Sequence, residues 1–354
     1  MINVGVVGYG YWGPNLVRNF AETPGIKPVA VSDLREARLN LAKSRYPNLT
    51  ITADYRSIIE SPDTDAIAIA TPVSTHYDIA LEALKAGKHV FIEKPVTDNS
   101  EHAMRLIDEA ASRNLLLMVD HTFVYTGAVR KIKELISAGQ LGEVFYYDSV
   151  RINLGLFQHD VNVLWDLAVH DLSILNYLFA ERPCAVSATG VSHVPGEPEN
   201  IGYITLFFET RLMAHIHVNW LAPVKVRRAV VGGSQKMVVY DDIEPSEKIK
   251  VYDKGIATTP GSEGMYRMLI SYRAGDMWAP HLDITEALRV EIAHFVQCLE
   301  TGVKPITGGA SGLEVVRILE AATQSMQARG SLVELDNRGL PPQQEFKRAT
   351  AGAA

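Results

Sequence analysis

With 354 residues the chain has room for two domains, and 47% hydrophobic content beside 21% charge suits a globular protein that builds its cores without staples. A formal net charge of -7 with no long basic run excludes a general nucleic-acid binder, which presents a basic face. Cys184 and Cys298, the two cysteines, lie too far apart for a C-x-x-C pair, so neither a disulfide framework nor a zinc ribbon is supported, and both read as buried small hydrophobes.

Residues 1–7 form an apolar strand, Gly8-Tyr9-Gly10-Tyr11-Trp12-Gly13 turns it into a helix, and Asp33 closes a second apolar run at 28–32. That is the G-x-G-x-x-G fingerprint in its proper setting, and it predicts a dinucleotide site. Gly8 allows the tight turn, Gly10 lets the backbone approach a pyrophosphate, and Gly13 lets helix and strand pack closely. The helix start presents unpaired N–H groups and a positive dipole end to the phosphates, and Pro14 fits there because its missing N–H would have gone unused. Asp33 accepts from the adenosine ribose hydroxyls and repels a 2′-phosphate, which favours NAD over NADP; Arg35 and Arg38 lie close enough to weaken that preference. With strand beginning at Ile2, no room is left for a signal peptide, and no apolar run approaches the roughly 20 residues that span a bilayer, so a cytoplasmic location without a membrane partner is expected.

Up to about residue 121, strand and helix alternate. Residues 65–70 (DAIAIA) form a strand, 75–86 a helix stopped by Gly87, 88–92 (KHVFI) a strand, and 115–119 (LLLMV) another. Between the last two a helix begins near Asn99, where Asp98 and Glu101 have capping-box spacing. Such a pattern reads as a doubly wound parallel sheet, a Rossmann domain over 1–121. Beyond 140 the rhythm changes to a helix at 165–179 and strands at 185–191, 202–209, 212–221, 224–231, 236–240 and 248–252. Strands so closely spaced suit antiparallel pairing, so the second domain, 122–336, is expected to be α+β with one large open, mostly antiparallel sheet. Two helices follow, 286–300 and 313–328, the second opening with Ser311 and Glu314 at capping-box spacing. The stretch 339–354 lacks an apolar pattern and is expected to be disordered.

In an open α/β sheet, ligands bind beyond the carboxyl ends of the strands, which places weight on Thr71-Pro72 and Glu93-Lys94-Pro95 beside the glycine turn and Asp33. Lys94 is there either a partner for a substrate oxygen next to the nicotinamide or a solvated loop lysine. On the helix at 165–179, Asp166 and His170 stand at i and i+4, so the carboxylate would orient the imidazole and favour its protonated form; the pair is otherwise a solvated helix face. His215, His217 and Asn219 share one sheet face, where a polar surface or subunit contact outweighs a metal site. Lys225, Arg227 and Arg228 reach toward a substrate phosphate or line a solvated edge. Tyr11 and Trp12 either flank the nicotinamide or pack.

Gly8 to Gly13, Thr71-Pro72 with His76, the run 86–90 (AGKHV) leading to Glu93-Lys94-Pro95, and Asp166 four residues before His170 together resemble the glucose-fructose oxidoreductase / inositol dehydrogenase (Gfo/Idh/MocA) family, from residue 2 to about 335. The resemblance implies a Rossmann domain plus an open-sheet domain for substrate and oligomer contacts, with NAD(P)-dependent chemistry at a carbohydrate or polyol carbon. It assigns Lys94 as the active-site lysine, with a Lys94-Pro95 bond often found cis, and Asp166 with His170 as the pair whose histidine is acid/base. It extends the cofactor contacts to Gly8, Tyr9, Gly10, Tyr11, Trp12, Gly13, Asp33, Thr71, Pro72, His76, Glu93 and Lys94. Ala168, where many members carry glycine, and the missing glycine run before Asp166 are departures. Residues 160–171, with Tyr272-Arg273 and Gly275-Asp276, look most like members tied to nucleotide-sugar and surface-polysaccharide synthesis. The expected protein is an NAD-dependent sugar or nucleotide-sugar dehydrogenase or ketoreductase and a homo-oligomer. Inositol dehydrogenation, an NAD-dependent glycosidase and a non-catalytic NAD-binding protein are the alternatives.

Overall fold

Strands apolar on both faces must be covered on both faces. In the computed structural model, which describes residues 1–155, 159, 161–259 and 269–337 and leaves out the side chains of 256–259 and 269–272, the first third of the chain does this. The elements run β1 (Ile2–Val7), α1 (Gly13–Glu22), β2 (Ile26–Ser32), α2 (Glu36–Arg45), β3 (Thr50–Thr52), α3 (Tyr55–Ile59), β4 (Ala66–Ile69), α4 (His76–Lys85), β5 (His89–Glu93), α5 (Ser100–Ser112) and β6 (Leu117–Asp120). The strands pair in parallel in the order β3-β2-β1-β4-β5-β6. The order reverses between β1 and β4, and that switch point opens the crevice where such sheets bind ligands.

The remainder runs α6 (Gly127–Ser137), β7 (Val144–Leu154), α7 (Val169–Leu178), β8 (Ala185–Val191), β9 (Ile201–Phe207), β10 (Met213–Asn219), β11 (Leu221–Gly233), β12 (Met237–Asp241), β13 (Ile249–Thr259), β14 (Leu269–Trp278), α8 (Ala287–Thr301), α9 (Gly309–Gln327) and β15 (Val333–Glu334). Nine strands form one open sheet, β14-β13-β12-β11-β7-β10-β9-β8-β15, antiparallel except for the β7–β10 pair. Ile204, Leu206, Ala214, Ile216 and Val218 point to the buried face, packed with Leu172 and Leu175 of α7 and Ile318 and Leu319 of α9. On the opposite face Tyr203 stacks on His217 with ring centroids 4.5 Å apart. The chain then returns to the first sheet: Phe295 of α8 meets Phe91 of β5 edge-on at 5.4 Å, Leu313 and Val316 of α9 join the cluster around Val119, and Arg18 of α1 grips Glu286 through both guanidinium nitrogens.

Several local expectations are corrected. The 165–179 helix begins as a wide π turn over Leu164–Ala168, in which the Val169 amide bonds back to Leu164, and becomes α-helical only at Val169. Asn99, not Asp98, caps α5 by accepting from the His102 amide. α9 starts at Gly309 without a side-chain cap, and Glu314 is taken by Arg182 instead of closing a capping box with Ser311. Cys298 is buried but Cys184 is not. β7 and α6 were not among the expected elements, although α6 buries Ala128, Val129, Ile132 and Leu135 at helical spacing. Residues 339–354, Asp160 and the Tyr272 side chain lie outside the described residues.

Candidate active site

The glycine turn is a close crossing of three strand ends. Gly8 has φ +97°, and a Cβ there would fall 2.4 Å from the Ala70 carbonyl oxygen; one on Gly13 would fall 2.1 Å from the Gly8 oxygen. Any other residue would push the turn off the sheet. At Gly10 only the Arg35 guanidinium lies within contact range, so the missing side chain leaves open space. α1 has no acidic residue in its first turn and no side-chain cap, which leaves its dipole end free for an anion. Asp33, at the end of β2, accepts from the Tyr9 amide at 2.8 Å, the Arg35 amide at 2.9 Å and Arg35 Nε at 3.0 Å. Burial pushes its carboxyl up, but the Arg35 and Tyr9 donors outweigh burial and hold it below the ordinary range. An ionised, oriented carboxylate beside a Cβ-free loop and an uncapped helix fits the adenosine ribose and pyrophosphate of a dinucleotide.

Lys94 follows β5, and the Lys94-Pro95 peptide is cis. Its ammonium crosses to the other half of the molecule, donating to the Asp166 carbonyl at 2.9 Å and lying 3.5 Å from Asp166 Oδ1. Trp220 Nε1 donates to Asp166 Oδ2 at 3.0 Å. The expected Asp166–His170 pair is therefore corrected: Asp166 belongs to Lys94 and Trp220, and His170 Nδ1 is buried without a hydrogen-bond partner among the described residues. The cause is competition: the Lys94 ammonium and the Trp220 indole N–H, brought in from other elements, take up both carboxylate oxygens. His170 packs edge-on against Phe123 with ring centroids 4.9 Å apart. Burial first, then the charges of Lys94, Arg151, His121 and Arg227, push its pKa well below the usual value of 6.5, which favours the neutral imidazole.

Residues 2–121 match the family described as "Oxidoreductase family, NAD-binding Rossmann fold", and residues 129–239 match the GFO/IDH/MocA C-terminal domain. The chain belongs to the Gfo/Idh/MocA oxidoreductase family. Among its relatives, the UDP-N-acetylglucosamine 3-dehydrogenase of Acidithiobacillus ferrooxidans is 26% identical, covering 91% of this chain and 96% of that protein. The myo-inositol 2-dehydrogenase of Thermotoga maritima is 24% identical over 94% of this chain and 98% of its own. The crystal structure of an NAD-binding protein from Listeria innocua superposes with a TM-score of 0.80 at 24% identity, covering 94% and 96% of the two chains, and shares the fold.

In this oxidoreductase the other sequence-chosen residues have varied surroundings. Tyr11 is 90% exposed at the rim, whereas the Tyr9 ring is fully buried and only its amide serves Asp33. Trp12 Nε1 donates to Asp120 at 2.7 Å, which ties the glycine turn to the end of β6. His76 is buried with its ring nitrogens 2.9 Å from the backbone carbonyls of Pro95 and of Thr71, between the two turns; burial favours the neutral ring, which donates to one of these carbonyls. Glu93 is half-buried, and desolvation together with Asp120 pushes its carboxyl well up. Sequence reading missed three neighbours. His121 is 1% exposed with neither ring nitrogen partnered among the described residues, and burial pushes its pKa down to about 4. Glu291 of α8 accepts from the His121 amide, and burial with Asp120 pushes its carboxyl well up. Phe123 is the third. The D-H-T-F run after β6 was the only available signal, since it too follows a strand end.

Proposed function

We propose that this protein is an NAD-dependent oxidoreductase that moves a hydride between the nicotinamide and a hydroxyl-bearing carbon of a sugar or nucleotide sugar. The observation that carries the reading is the meeting of Lys94, from a Rossmann strand end, with the π turn that leads into His170. Asp33 would hold the adenosine ribose, and the amides of the glycine turn the pyrophosphate. NAD, when bound, supplies the hydride acceptor or donor. In the oxidative direction His170 takes the hydroxyl proton, for which its neutral state suits it. Lys94 donates to the same oxygen and stabilises its alkoxide character. Asp166 is a positioning residue: its carbonyl and carboxylate fix the ammonium, and Trp220 fixes the carboxylate.

A sugar or nucleotide sugar is chosen over an inositol on the run at 160–171; the relatives include both a UDP-sugar and an inositol dehydrogenase. Self-association through the outer face of the nine-stranded sheet is part of the same reading, since Tyr203 and Met213 are exposed there. The test is a panel of nucleotide sugars, free sugars and inositols with NAD and with NADP, read by nicotinamide absorbance. NADH formation with a sugar or nucleotide sugar is expected. Turnover of inositols alone would move the assignment to polyols, and sugar release without net NADH would identify a glycosidase.

A further inference from the structure

We propose that the substrate carries a negative charge close to its reacting carbon and that Arg151 and Arg227 receive it. This rests on the reading of the site as a sugar oxidoreductase. Arg151 on β7 and Arg227 on β11 stand directly opposite each other in the strand register. Like charges in a cross-strand pair repel, so the arrangement calls for compensation. Some is built in: Arg151 Nε donates to Asp171 at 2.7 Å and Arg227 Nη1 to Asp242 at 3.4 Å. Some is missing, because Arg151 is only 5% exposed and its Nη1 has no hydrogen-bond partner among the described residues. A buried charged donor left unpaired is costly, and a ligand that supplies an acceptor removes that cost.

The location ties this donor to the chemistry. Both guanidiniums lie over the Phe123 ring, 4.4 Å and 5.6 Å from its centroid, and His170 packs on the edge of the same ring at 4.9 Å. One aromatic side chain thus separates the proposed base from two planar cations that match a carboxylate or phosphoryl group. The substrate class is a sugar whose carboxylate, as in a uronic acid, or whose phosphoryl oxygens, as in a nucleotide sugar, sit beside the carbon that reacts. A rival occupant is a buried water, since Tyr147 Oη and Ser149 Oγ on the same strand face are also unpartnered among the described residues. Water would satisfy Nη1 with no preference for charge.

The experiment is equilibrium binding to the NADH-saturated enzyme, by calorimetry, of glucose against glucuronate, galactose against galacturonate, and UDP-glucose against UDP-glucuronate. The expected result is an affinity roughly 10- to 100-fold higher for the charged member of a pair, falling toward parity in Arg227→Met and Arg151→Lys. If the phosphoryl group is the anion, UDP-glucose exceeds glucose by that factor and the uronates gain nothing; if the carboxylate is, the reverse holds. Equal binding throughout, a preference that survives both substitutions, or binding of no member overturns the proposal. Arg227 is half-exposed, so its variant serves even if Arg151→Lys fails to fold. Charge-selective binding without any turnover would refute the oxidoreductase reading and leave only an anion site at the two arginines; turnover of neutral sugars without charge preference would overturn this proposal and leave that reading standing.

Discussion

The two walls of the crevice handle charge in opposite ways. On the Rossmann side Glu93 and Glu291 flank Asp120 inside the protein, and burial together with that neighbour drives both glutamates toward their protonated form. On the side of the large sheet, Arg151 and Arg227 sit beside carboxylates, and the histidine near them is the group pushed toward its deprotonated form. The contrast lies in what each wall favours: Glu93 and Glu291 are pushed toward neutral carboxyl groups, whereas the facing side sets two guanidinium groups beside a histidine pushed toward its neutral form. Lys94 crosses from the first wall to the second.

The largest effects belong to that crossing. His170→Ala should lower turnover about 10²- to 10⁴-fold while NADH binding, followed by fluorescence, is nearly unchanged. Lys94→Arg should fail as well, because a planar fork does not replace a compact ammonium held by the carbonyl and carboxylate of Asp166. Near-normal steady-state rates in either variant would remove that residue from the mechanism. Next comes the Rossmann wall alone: Asp33→Ala should weaken NAD about 10- to 100-fold and relax discrimination against NADP, since the same change frees Arg35. Titrations of both coenzymes that match the parent would contradict the ribose contact.

The pH profile separates the walls more finely. A base must be unprotonated, and burial with nearby cations favours the neutral form of His170, so kcat/KM for oxidation should hold as pH falls through 6.5 and drop only below it. A direct Asp166–His170 pair would instead raise the imidazole and move the loss above 6.5. The smallest effect is one of stability. Glu291 keeps its proton when folded and loses it near 4.5 when unfolded, so its contribution is complete below 4.5 and declines as pH rises toward the folded value. Glu291→Gln retains an acceptor for the His121 amide without titrating, and its melting temperature relative to the parent should climb between pH 5 and 8 by roughly 2–4 °C per kcal/mol. A constant difference would mean that Glu291 is ionised in the fold.

Much of the Rossmann wall was legible because its functional groups are adjacent in sequence to the turns that place them. Gly8, Gly13 and Asp33 are fixed by strand-turn-helix geometry within a single unit, and their spacing carries that geometry. The other wall was legible only in its ingredients. Asp166 and His170 were found as residue types, but the carboxylate goes to Lys94 and Trp220, partners distant in sequence that no local spacing reveals. Arg151 drew no notice because an arginine in an alternating strand reads as surface, and only the sheet register brings it beside Arg227 and over Phe123. His121 and Glu291, 170 residues apart, meet only once α8 folds back on the first sheet.

The most direct measurement is a crystal structure of the enzyme with NADH and a turned-over sugar. The account predicts Lys94 Nζ and a ring nitrogen of His170 both within about 2.6–3.2 Å of one substrate oxygen. A complex in which the two side chains contact different parts of the ligand, or open into separate cavities, would contradict it.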